Sequence, residues 1–424
     1  MSATPANADA RLRPVAVGER IETMDVLRGF ALLGILLMNI EGMAGPLFQS
    51  FSGLDPALAG ADRIADALIY ILVQGKFYTL FSLLFGMGFA VMSTRAEARG
   101  QPFAGVYWRR SLVLLGIGLI HGLLIWSGDI LLMYALLSFL LLAFRNVSAK
   151  WLPWLAGLTY LASSGMMLLL GLVGSAMQLD PNAAAQWNQE MAKAGVEMNA
   201  MLEAQRHAYG AGTYLEAVAQ RASDVGFMLS NLLFIGPTVF GMFLFGTWFV
   251  KSGAIAAPER FPRLFAFLRW GALSLGLALM LLSFWMEPTA DFNNISLHAS
   301  LAFVASSVGS VLMAFGYLGW IVKGVRSAAA APLLHWLAPA GRMALTNYLT
   351  QSIVCTLIFN GYGLGYLDQL PRAWQVPFVF TVFLLQVMFS RWWLARFRFG
   401  PAEWVWRSLT YLRPQPMRAS PASA

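Results

Sequence analysis

The sequence predicts an all-α fold, a polytopic transmembrane helical bundle of about ten spans with N-terminus and C-terminus cytoplasmic. Three observations carry that expectation. The chain is 58% hydrophobic and only 12% charged, with a mean hydropathy of +0.62. A water-soluble fold cannot hide that much apolar surface. Apolar runs recur at about 24–43, 66–92, 111–126, 129–144, 151–177, 226–250, 264–285, 297–322, 342–360 and 374–396, many of them near the roughly 20 residues that cross a bilayer core. Lysine and arginine, finally, concentrate on one side of the topology those runs define.

Taken in order, residues 1–22 are rich in Ala, Pro and Arg and lack a short apolar core followed by a small-residue cleavage site, so they are expected to be a disordered cytoplasmic tail. Residues 23–411 form one transmembrane domain, and 412–424 a second disordered tail. The third and fourth runs are short and meet at Ser127, Gly128 and Asp129. That junction reads as a tight helical hairpin with Asp129 near the start of the returning helix, one long helix being the competing reading. Segment 178–225 places Trp187, Met191, Met198, Met201 and Leu202 at roughly helical spacing between charged residues. Periplasmic interfacial helices are expected there, since a segment of that size without disulfides does not make a separate core. No internal repeat is visible.

With the N-terminus inside, Arg28, Arg95, Arg99, Arg109, Arg110, Arg145, Lys251, Arg391, Arg396 and Arg407 are among the basic residues that fall on the cytoplasmic side, while Arg63, Lys76, Lys193, Arg206, Arg221 and Arg372 fall opposite. The formal charge of +8 is thus spread over loops facing one leaflet, which argues against nucleic acid as a partner and for the lipid bilayer. A lone Cys355 and four histidines predict neither a disulfide nor a metal site.

Polar residues inside the spans carry the functional information, because a charge left in hydrocarbon costs at least about 2.5 kcal/mol. Asp25 and Arg28 lie three apart on the first helix, and Asn39 and Glu41 sit near its other end; the Asp25–Arg28 spacing fits a local ion pair as well as a site. His121, placed by residue count near the middle of the third span, has the side chain best suited to move a proton near neutral pH, and Asp129 can orient it. A histidine bonded to a neighbouring helix and an aspartate capping one fit the same spacing. Arg109 and Arg110 suit either the phosphates of a nucleotide-like donor or anionic headgroups. Lys76 either snorkels to the outer interface or meets an anionic ligand. Thr346 and Thr350, and Asn347 and Gln351, repeat at four-residue spacing, a polar stripe that serves interhelical hydrogen bonding or lines a ligand wall.

Four spaced motifs add a resemblance. Met24–Ile35 (MDVLRGFALLGI), His121 followed by Gly128–Leu131 (GDIL), Gly341–Leu349 (GRMALTNYL) and Gly400–Arg407 (GPAEWVWR) resemble the YeiB-like family of bacterial inner-membrane proteins, domain of unknown function 418. That resemblance implies a multi-pass protein of the bacterial inner (cytoplasmic) membrane and no settled activity. The Asp-x-x-Arg-Gly opening, Asp25 to Gly29, and the arginines before the third span are also similar to the transmembrane acyltransferases, including the acyltransferase-3 and heparan-glucosaminide acetyltransferase groups. The similarity implies acyl-CoA as a cosubstrate, with no covalently bound cofactor, and a sugar-like or lipid acceptor. Asp25, Arg28, Arg109 and Arg110 then bind the acyl donor. Where acyltransferase-3 sequences have a histidine this chain has Asn39, and the stretch 42–60 contains none, so only His121, with Asp129, can take that place. Asn39, Glu41, Lys76, Asn347 and Gln351 are the candidates for acceptor or oxyanion contacts. A small-solute transporter or exporter lined by the same polar groups is the rival expectation, with a non-enzymatic envelope protein as a third; a homo-oligomer is left open.

Overall fold

The computed structural model describes residues 21–290 and 295–418. Its helices are α1 (Glu22–Ala44), α2 (Gly60–Leu72), α3 (Lys76–Ala98), α4 (Ala104–Leu124), α5 (Leu131–Leu141), α6 (Leu152–Met177), α7 (Pro181–Gly210), α8 (Tyr214–Ser230), α9 (Leu232–Lys251), α10 (Pro262–Ala266), α11 (Leu273–Met286), α12 (Leu297–Val325), α13 (Ala331–His335), α14 (Ala338–Arg342), α15 (Ala344–Phe359), α16 (Arg372–Leu394) and α17 (Pro401–Tyr411). Each of the ten apolar runs of the sequence overlaps one of these helices. Among the described residues, seven segments are long and apolar enough to cross a membrane, and α5 with its 3-10 extension (Leu131–Phe144) and α15 (Ala344–Phe359) are shorter apolar helices.

Burial sorts the helices into inner and outer positions. In α1 and α9 61% of the most apolar window is buried, against 28% in α6, the α10–α11 segment and α16; the first two therefore sit inside the bundle. The outer helices turn Leu158, Leu169, Trp285 and Leu385 outward, as helices solvated by lipid do. α1 packs on α3, α14, α15 and α16, α3 crosses α9, and α9 leads through α6 to α12 and α11. The α3–α9 crossing is close because glycine lines both sides: a β-carbon at Gly86 would collide with the Phe243 carbonyl oxygen, and one at Gly246 with that of Leu83. Gly246→Ala is accordingly expected to destabilise the protein by about 1–3 kcal/mol through overpacking. Gly116, with open space around it, is the control: its alanine variant should melt no lower than wild type in a detergent thermal-unfolding experiment.

Several sequence expectations need correction. The second run is not one helix from 66 to 92. It is amphipathic α2, a break at Val73–Gly75 where Gly75 takes φ +83, a left-handed conformation that glycine adopts without a Cβ penalty, and then α3. The third helix begins seven residues before its apolar run, at Ala104, because Tyr107 and the guanidinium of Arg110 find aromatic partners there. His121 therefore lies in the last turn of α4 and not at its middle. The hairpin after α4 is present, with segment 178–225 folded as α7 and most of α8. The tail expected from 412 is ordered through 418: Trp404 Nε1 donates to the Gln415 carbonyl at 2.7 Å and the Arg398 N–H to that of Met417 at 2.8 Å. The tail expected over 1–22 lies outside the described residues as far as residue 20.

Candidate functional site

The α4–α5 hairpin builds the first element of the site. Asp129 precedes α5, where its Oδ2 accepts the Leu132 N–H at 2.6 Å, satisfying one of the orphan donors of a helix start. Its Oδ1 lies 2.7 Å from His121 Nδ1. Both side chains are 1% exposed. The carboxylate can only accept these bonds when ionised, so it fixes the proton on Nδ1 and leaves Nε2 as the basic nitrogen. His121 Nε2 is buried without a hydrogen-bond partner. The same carboxylate thus bonds the start of α5 and the imidazole of His121. Tyr348 of α15 stacks obliquely on the ring, centroids 5.1 Å apart. Its hydroxyl accepts the Ile130 N–H at 3.4 Å, which leaves the phenolic proton free to donate.

The second element gathers at the other end of α4. Asp25 and Arg28 form the local ion pair at 2.9 Å. Arg109 Nε donates to the Thr410 carbonyl at 3.0 Å, and the Arg110 guanidinium stacks 3.7 Å from the centroid of Trp406, whose indole N–H donates to the Arg110 carbonyl at 2.9 Å. These contacts seat α17 against α4 and bring in Arg407, which lies over Phe399 at 4.8 Å. Burial, and beyond it the positive charge of Arg28, lowers the Arg407 pKa, while Tyr411, Glu403 and Asp25 act the other way. Arg28, Arg110 and Arg407 thus lie within electrostatic reach of one another. Among the described residues neither Arg110 nor Arg407 enters an ion pair. Arg28, Arg110 and Arg407 form a half-buried set of guanidinium groups with one carboxylate, Asp25, held by Arg28.

Other expected site residues go elsewhere. Glu41 joins Asp66 on the guanidinium of Arg372, which also holds Gln375: Nη2 to Glu41 Oε2 at 2.8 Å, Nε to Asp66 Oδ1 at 2.8 Å and Nη1 to Gln375 Oε1 at 2.7 Å. This cluster ties α1, α2 and α16 together at the end of α1 away from Arg28. Lys76 does not snorkel; fully buried, it donates to the carbonyls of Tyr70 and Gln74 at 2.9 and 2.8 Å, groups left open where α2 ends. Asn347 spends both amide protons on the Ala340 carbonyl and Ser390 Oγ, at 3.1 and 3.0 Å, so it has none for an oxyanion. Gln351 Nε2 donates to Gln386 Oε1 at 2.9 Å. The polar stripe of α15 is therefore an interhelical hydrogen-bond seam with α16. Asn39 is half-buried on α1 and belongs to neither element.

Glu403 explains the rest of the C-terminal motif. Its carboxylate accepts from the N–H groups of Leu345 and Thr346 at 2.7 and 3.1 Å and from the Thr346 hydroxyl at 2.6 Å, closing the start of α15. Burial raises its pKa, and the Thr346 hydroxyl and backbone bonds oppose that. Glu403→Ala removes all three bonds, and the expected loss is about 1–2 kcal/mol, readable as a lower melting temperature in detergent.

Arg407, Glu403 and Tyr348 are functional candidates that residue spacing alone does not single out. All three stand in the quoted motifs, which is the signal that could have found them.

Comparison with known proteins agrees on a lineage without an activity. Residues 249–413 match the family model described as "Protein of unknown function (DUF418)". The chain is 34% identical to the uncharacterized protein YxaH of Bacillus subtilis, covering 96% of this chain and 98% of YxaH. It is 33% identical to the uncharacterized protein YeiB of Escherichia coli, covering 92% and 96%, and 29% identical to an uncharacterized 39.9 kDa protein in the amylase 3' region of Bacillus acidopullulyticus, covering 95% and 97%.

Proposed function

We propose, for a chain that belongs to the YeiB-like DUF418 family, the activity of a membrane-embedded acyltransferase that passes an acyl group from acyl-CoA to a hydroxyl-bearing, sugar-like or lipid-linked acceptor on the other side of the membrane. The observation that carries this reading is that one helix, α4, holds a cluster of guanidinium groups at one end and a buried His–Asp pair with a free Nε2 at the other.

The dimensions support it. Arg110 and His121 are eleven positions apart on α4, about 16 Å of helix. An extended pantetheine arm, with two amide units and peptide-like bond lengths, also reaches about 16 Å. A donor whose phosphates sit on Arg28, Arg110 and Arg407 can therefore present its thioester beside His121. Leu131–Phe144 is only about 21 Å of helix, short of the roughly 30 Å hydrocarbon core, which suits a dyad held below the far surface. With the arginine-rich end cytoplasmic, as positive loops require, the donor comes from the cytoplasm and the acceptor from outside.

The chemistry then runs on this chain's own groups. His121 Nε2 takes the proton of the acceptor hydroxyl as its oxygen attacks the thioester carbonyl carbon. The Tyr348 hydroxyl is the donor nearest to hand for the developing oxyanion. As the C–O bond forms and the C–S bond breaks, the imidazolium returns its proton to the thiolate, giving ester and free coenzyme A. Asp129 holds the imidazole in the competent tautomer and offsets its charge in the middle of the reaction.

The receptor half is tested by coenzyme A binding to the purified protein in detergent. Replacing Arg110 and Arg407 together with Gln should weaken binding by about 10-fold to 1,000-fold, the loss expected for two charge-assisted contacts, without changing the amount of folded protein. Undiminished affinity removes the arginines from the donor site. Solute flux through proteoliposomes without any acyl donor would support transport instead.

A further inference from the structure

We infer that Asp224, on α8, is a positioning residue for the His121–Asp129 pair, so that the α7–α8 cap is part of the catalytic apparatus. The inference rests on the acyltransferase reading of that pair. The loop from Ile125 to Ile130 is all that joins the helix carrying His121 to Asp129, and it is tied down from outside. Ser127 Oγ donates to Asp224 Oδ2 at 2.8 Å, the Tyr209 hydroxyl donates to the same oxygen at 2.5 Å, and Gln220 Nε2 donates to Oδ1 at 2.8 Å. Three residues before Ser127, Arg221 Nη1 and the Tyr214 hydroxyl both donate to the Leu124 carbonyl, at 3.2 and 2.9 Å. From the opposite wall, the Trp126 indole donates to the Gly42 carbonyl at 3.1 Å. The chain is thus held at Leu124, Trp126 and Ser127, five, three and two residues before Asp129.

Asp224 and Arg221 are each 1% exposed, adjacent in the cap, and among the described residues they form no ion pair with each other. The carboxylate is instead satisfied by three uncharged donors. Burial, and next the Asp224 charge, raises the Tyr209 pKa, which keeps the phenol a donor. Burying an unpaired carboxylate against a loop is a poor way to gain stability compared with apolar packing. It does fix a direction: each donor has one favourable geometry, and Ser127 can satisfy it only with the loop where it is. Displacing a reacting group by even about 1 Å can cost on the order of 100-fold in rate, so the placement of Asp129 by this clamp matters most for turnover.

The test combines selective ¹⁵N labelling of histidine with turnover. In Asp224→Asn, the His121 Nδ1 and Nε2 resonances should move away from the wild-type pattern of a Nδ1-protonated ring bonded to a carboxylate, and kcat for acetyl-CoA consumption should fall by about 10-fold to 100-fold with acetyl-CoA affinity unchanged. Ser127→Ala cuts the tie from Ser127 to Asp224, leaving Asp224 its other donors and the bonds to the Leu124 carbonyl in place, and should show the same spectral change to a smaller degree; it decides the question if the Asn variant fails to fold. Unchanged His121 resonances in a folded variant overturn the positioning role. Absence of acetyl-CoA consumption by wild type overturns the acyltransferase reading instead, and the positioning of His121 is then still decided by the spectra.

Discussion

His121→Gln should lower acyl transfer, or slow acetyl-CoA hydrolysis in the absence of acceptor, by about 100-fold to 10,000-fold, the usual cost of removing a general base. Glutamine keeps the length and part of the hydrogen bonding of the imidazole, so Asp129 retains a donor and the Leu132 cap is undisturbed. What disappears is the lone pair at Nε2. Asp129→Asn should be nearly as damaging for a different reason: an amide that still accepts the Leu132 N–H turns its own protons toward Nδ1, and the imidazole is driven to the tautomer whose Nε2 carries the proton. Both variants should bind acetyl-CoA as wild type does, because the arginines lie about 16 Å away along α4. Turnover retained in His121→Gln at equal folded concentration eliminates the base.

The second large effect is on stability. Arg372→Met should destabilise the protein by about 3–5 kcal/mol, because it leaves two acids without their shared cation in a site where the Arg372 side chain is 5% exposed and that of Asp66 3%. Adding Glu41→Gln and Asp66→Asn to Arg372→Met should recover much of the loss, since the penalty comes from uncompensated charge and not from the missing arginine as such. Thermal unfolding in detergent reads both. A melting temperature for Arg372→Met equal to that of wild type would show that the cluster is solvated and contributes little.

Much of this architecture is legible in the residues. Hydropathy finds each of the ten apolar segments, and the Ser127–Asp129 junction marks the hairpin because a polar, glycine-containing break interrupts two apolar runs. His121 and Asp129 meet because a hairpin turns the chain back between them, and that much follows from local sequence. The clusters that fail to be legible are those closed by long-range packing. Nothing near Arg372 in sequence points to Glu41 and Asp66, 331 and 306 positions away. Lys76 reads as an interfacial residue because hydropathy cannot see that α2 ends four residues earlier, leaving carbonyls in need of a donor. Asn347 reads as a ligand group because Ser390 is on another helix. Arg407 comes near Arg110 through the seating of Trp406 on Arg110, a tertiary contact, although its motif marks the segment.

The central claim, transfer across the membrane along α4, is tested most directly in proteoliposomes given radiolabelled acetyl-CoA on the Arg110 face alone, with free thiol measured on that face and label on the other. The account predicts thiol release from wild type, lost in His121→Gln, with the acetyl label leaving as ester or acetate on the far side. No thiol release from folded wild type, or label that remains entirely on the donor face, would contradict it.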